Sequence, residues 1–69
     1  MKKPHPKDYV GWLDYGLDAL DASWRNEMKG MRYGDTATGD KHRATAARFD
    51  EKATDAFERV REFLKAHTA

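Results

Sequence analysis

The sequence predicts an all-α fold: an antiparallel two-helix hairpin that dimerises into a four-helix bundle or docks on a larger protein. Three observations predict it. Apolar residues recur at steps of three and four through two long segments, Val10 to Met31 and Ala46 to His67. That spacing places them on one helix face. Clustered punctuation is confined to Pro4 and Pro6 and to the stretch between Gly34 and Gly39. Finally, 69 residues without a cysteine make one small domain with no disulfide brace, which leaves close helix packing or a partner chain to stabilise it. One domain over residues 1–69 is expected, with helices over about 6–33 and about 40–67 and a loop over about 34–39.

The first helix is expected to open at Pro6, whose missing N–H costs nothing at a first helical position. Asp8 then suits the positive end of the helix dipole. Val10, Leu13, Leu17, Leu20, Trp24, Met28 and Met31 form its main apolar stripe, expected to pack on the second helix. No period-2 alternation supports a strand. Gly34 is a natural stop.

The second helix is expected to start from Thr38 or Asp40 as N-cap. Ala46, Phe49, Ala53, Ala56, Val60, Phe63 and His67 repeat the same spacing, and Phe57 and Leu64 widen the face. Most of its residues are good helix formers. The faces look size-matched. Trp24, Met28 and Met31 would meet Ala46 and Ala53 around Phe49 near the loop. Phe57, Val60, Phe63 and Leu64 would fill the open end.

The first helix carries another stripe at helical spacing: Trp12, Gly16, Ala19, Ser23 and Gly30, with Tyr9 and Glu27 at its edge. Small residues there let a second helix backbone come close. Only Asp14, Asp18, Asp21, Arg25, Lys29 and Arg32 form a polar stripe. The expected protein interface is therefore Tyr9, Trp12, Tyr15, Gly16 and Ala19, flanked by Asp14, Asp18 and Asp21, because Tyr and Trp are favoured interface anchors. The plainer alternative is a pair of tolerated glycines, each costing about 1 kcal/mol, beside a solvated Asp face.

The net charge is +1, from 13 Lys+Arg and 12 Asp+Glu, but the charges are unevenly placed. Residues 8–24 hold four Asp and no Lys or Arg. Arg25, Lys29, Arg32, Lys41 and Arg43 gather toward the loop end. That cationic end could meet phosphates, although the isoelectric point of 8.0 lies below the value of about 9 usual for nucleic-acid domains.

Catalytic motifs fail. The segment Gly34-Asp35-Thr36-Ala37-Thr38-Gly39-Asp40-Lys41 departs from a phosphate-binding loop, since Asp40 precedes the Lys and His42 follows it. His5 and His67 fall at one end of a hairpin and His42 at the other, without thiolates or a matched carboxylate for a metal. Asp14, Asp18 and Asp21 share a face but no pocket that would separate their pKa values. Ser23 has no base in reach. No catalytic residue, cofactor or metal site is expected, and hence no enzyme.

Disorder is opposed by two Trp, three Tyr and three Phe. A mean hydropathy of −1.00, no apolar run near 20 residues and no signal-type apolar segment after the basic start point to a soluble, cytoplasmic protein without membrane contact. The expected function is that of a small non-enzymatic accessory or regulatory protein, an adaptor or inhibitor of the type found in phage and mobile elements. Its expected partners are another protein and a second copy of itself. The alternative is a nucleic-acid-binding hairpin dimer using Arg25, Lys29, Arg32, Lys41 and Arg43.

Overall fold

A computed structural model describes residues 1–67. The chain forms two helices, α1 over Tyr9–Tyr33 and α2 over Ala37–His67, with no strand among the described residues. They run antiparallel. Gly16 lies against Phe57 and Gly30 against Arg43, while Tyr9 meets Phe63 and Tyr33 meets His42. The hairpin measures 48 × 22 × 12 Å, so it is one helix thick.

The helix boundaries differ from the sequence expectation for local reasons. Pro6 lies in a turn before α1. The helix starts only after Asp8, whose side chain accepts a hydrogen bond from the Gly11 N–H at 2.9 Å. Asp8 is thus a cap and not a first-turn residue, which satisfies one of the free donors at a helix start. At the other end, the Gly34 N–H donates to the Gly30 and Met31 carbonyls at 3.0 and 3.3 Å. Its backbone sits at φ 58°, ψ −144°, a region that glycine alone enters without strain.

α2 begins at Ala37, earlier than Asp40, because the cap is Thr36 and not Thr38 or Asp40. The Thr36 hydroxyl donates to the Tyr33 carbonyl at 2.9 Å and accepts from the Gly39 N–H at 3.0 Å. One side chain therefore closes α1 and opens α2. The connection shrinks to residues 34–36.

Arg43 locks this turn. Its guanidinium donates to the Gly30 and Gly34 carbonyls, both at 3.1 Å, and to the Asp40 carboxylate. Each carbonyl already accepts one backbone N–H, from Gly34 and from Thr36, and the planar guanidinium fork fills the second lone pair of both at once. Arg43→Ala should cost about 1–2 kcal/mol, read as a lower thermal midpoint by circular dichroism. Arg43→Lys should recover little of it, because an ammonium cannot span both carbonyls. Full rescue by lysine would show that charge alone matters there.

The packed face of α1 is the reverse of the expected one. Its buried residues are Trp12, Tyr15, Gly16, Ala19, Ser23 and Gly30. Those of α2 are Gly39, Ala46, Ala53 and Ala56, with Phe49, Phe57, Val60 and Phe63 half-buried. The face expected for α2 is thus largely the packed one, while α1 turns its main stripe outward. The physical reason is size. Two faces of Gly, Ala and Ser let the backbones approach closely. The approach is tight enough that a Cβ added at Gly16 would lie 2.6 Å from the Phe57 ring. The expected match of Trp24, Met28 and Met31 against Ala46, Phe49 and Ala53 does not form.

Candidate protein interface

The residues predicted as an outward interface divide into two groups. Trp12, Tyr15, Gly16 and Ala19 are buried inside the hairpin and form its core instead. Trp12 is 2% exposed. It packs with Tyr15 edge-to-face at 5.4 Å and with Ala56. Its indole N–H donates to the His5 carbonyl at 3.1 Å, which satisfies the polar end of a buried indole. The Arg59 guanidinium lies 4.4 Å from the ring centre and is steadied by Asp55 at 3.2 Å. Tyr9 is half-buried and stacked on Phe63 at 3.8 Å. None of the five aromatic or small residues is presented as a free anchor.

The second group is the carboxylates. Asp14, Asp18 and Asp21 are all exposed. Asp21 pairs with Arg25 at 3.0 Å, one helical turn on. Asp14 and Asp18 make no ion pair among the described residues.

The outward face of α1 is the stripe expected in the core. Val10 is 73% exposed, Trp24 69% and Met31 72%, and Leu13, Leu17, Leu20 and Met28 are also exposed. Scattered apolar residues on a surface need no explanation, but seven in one row along a helix do. The row runs nearly the length of α1. Near the loop end it borders a shallow groove lined by Trp24, Arg25, Met28, Lys29, Met31 and Arg32. Its flank is acidic at Asp14, Asp18 and Asp21 and basic at Arg25, Lys29 and Arg32. The 3–4 alternation from Val10 to Trp24 is the seam pattern that helices use to pack knobs into holes.

Comparison with protein-family models, curated proteins and solved structures found no match.

The cationic set suggested for nucleic acid is partly consumed. Arg43 is tied to the turn, and Arg25 is paired with Asp21. Lys29, Arg32 and Lys41 are exposed and make no ion pair among the described residues. The histidines have local partners. His42 contacts Asn26 at 3.3 Å and stacks on Tyr33, and His67 contacts the Phe63 carbonyl and tilts over its ring. Among the described residues no three His, Cys, Asp or Glu side chains are grouped to hold a metal ion, and no helix is long and apolar enough to cross a membrane.

The row from Val10 to Met31 is fully visible in the sequence. What was missed is its direction. The signal that could have found it is the composition of α2, whose own stripe is built on Gly39, Ala46, Ala53 and Ala56. Such a face fits a small-residue partner better than a row of Leu, Met and Trp.

Proposed function

We propose that this chain is a non-enzymatic protein-binding protein whose working surface is the outward face of α1: Val10, Leu13, Leu17, Leu20, Trp24, Met28 and Met31. One observation carries this reading. The bulkiest apolar residues of α1 lie in a continuous row on the side that α2 leaves uncovered. Burying such a face is worth roughly 25 cal/mol per Å² of apolar surface removed from water, so a helix with a matching seam gains much by covering it. An exposed apolar row rimmed by charges has the make-up of a protein-binding patch. The accessory or regulatory role expected from the sequence is kept, but its contact residues move from the Trp12 face to the Trp24 face.

The test uses Trp24→Glu, which alters the row without touching the hairpin core. A column carrying the wild-type chain should retain a specific protein, either this chain or another. A Trp24→Glu column should not retain it, while its far-ultraviolet circular dichroism stays helical. Equal retention by both columns, or none by either, would remove the reading.

A further inference from the structure

We infer that the outward face of α1 is occupied by a second copy of this chain, with the two α1 helices antiparallel about a twofold axis near Leu20. This rests on the reading that the α1 face binds protein, and it names the partner. Two independent observations point to it.

The first is area. A compact monomer of 7.9 kDa should expose about 4,400 Å², whereas this hairpin exposes 5350 Å². The excess of about 950 Å² is of the size of the ~800 Å² that one partner contributes to a standard interface. The seven outward residues of α1 supply much of that surface. The hairpin is half of a bundle in area as well as in shape.

The second is charge. Along the flank of the row, the first half of α1 bears Asp14, Asp18 and Asp21 and no cation. The last third bears Arg25, Lys29 and Arg32. In an antiparallel pair each flank meets the same flank of the other copy, run backwards. Asp14 of one copy then faces Lys29 of the other, and Asp18 faces Arg25. Asp21, nearest the axis, then shares its own Arg25 with Asp18 of the other copy. A parallel pair would instead set this flank against the opposite one, where Gly16, Ser23 and Glu27 offer Asp14 and Asp18 no cation. Complementary charges select orientation and partner more than they add affinity.

The row is self-complementary in a register two residues away, about 3 Å along the helix and within the reach of the charged side chains. Val10 meets Met31 of the second copy, Leu13 meets Met28 and Leu17 meets Trp24, so small or medium residues face large ones. The seven-residue repeat from Val10 to Trp24 favours the shallow, left-handed crossing of coiled coils and most four-helix bundles. The two α2 helices then lie on the outside, each behind its own α1.

The experiment is the mass of the full chain in solution by sedimentation at about 100 μM and low salt, combined with disulfide trapping. The wild type should sediment at twice 7.9 kDa, and Leu17→Glu should sediment as a helical monomer. Asp14→Lys with Asp18→Lys, both fully outside the hairpin core, should weaken association about tenfold. That double variant keeps the proposal open to refutation should Leu17→Glu fold poorly.

The chain has no native cysteine, so orientation can be trapped directly. Mixed Val10→Cys and Met31→Cys chains should oxidise to a dimer joined between positions 10 and 31. Positions 10 and 31 on one rigid helix stand about 30 Å apart, far beyond disulfide reach, so the crosslink reports only on the pair. Dimers joined 10 to 10 would overturn the antiparallel arrangement. A monomeric wild type would overturn the second copy as occupant. In that case, Leu17→Glu abolishing capture of a different protein would leave the α1 face standing as a binding surface. Leu17→Glu changing neither mass nor capture would sink both readings.

Discussion

Trp12→Ala is expected to unfold the hairpin. Trp12 is the largest side chain in the core, and truncating a buried tryptophan costs about 3–5 kcal/mol. That is as much as the core of a domain this small supplies in all. The loss would spread beyond the cavity. Arg59 would lose the ring it covers, and residues 1–8 would lose the hydrogen bond from the indole to the His5 carbonyl. Far-ultraviolet circular dichroism should show most of the helical signal gone at 25 °C, with no cooperative melt. A variant that kept a sharp thermal transition would place Trp12 outside the stabilising core.

The second large effect is expected at Gly39. A Cβ there would lie 2.3 Å from the Gly34 carbonyl oxygen. That oxygen belongs to the backbone and is held in turn by Arg43 at 3.1 Å. Gly34 already sits in a glycine-only conformation, so the turn has little room to yield. Overpacking against a site that cannot move costs about 1–3 kcal/mol or more, and Gly39→Ala should lower the urea midpoint accordingly. Gly11→Ala is the control. Its Cβ would meet only the Asp8 carboxylate, an exposed side chain that can swing aside at the loss of its cap on the Gly11 N–H. That loss is about 1 kcal/mol, which alanine's helix preference of about 1 kcal/mol offsets. Equal stability of the two variants would contradict the close approach at the turn.

The two helices and the position of their turn were legible in the sequence, because periodicity and glycine punctuation are local signals. The caps were only partly legible. Thr36, Thr38 and Asp40 all have capping side chains, and what decides for Thr36 is that its hydroxyl reaches both Tyr33 and Gly39. The direction of α1 was not legible from α1 alone. Its two stripes have the same period, and ranking them by bulk picks the wrong one. The choice depends on α2, whose Ala46, Ala53 and Ala56 accept a close backbone and not a row of large side chains. Sequence reasoning therefore identified both faces and exchanged their roles. Arg43 shows a related blind spot: a cation counted toward a ligand surface turned out to be a fastener of the fold.

The opposite placement of the two tryptophans makes the chain its own optical probe. Trp12, shut between Tyr15, Ala56 and Arg59, emits from inside the hairpin and reports on whether the two helices are joined. Trp24, open to water at 69% exposure, emits from the other side of α1 and is free to collisional quenchers until something covers it. A single emission spectrum thus contains two signals of different origin, one following folding and the other following contact. Separating them by quenching requires no label.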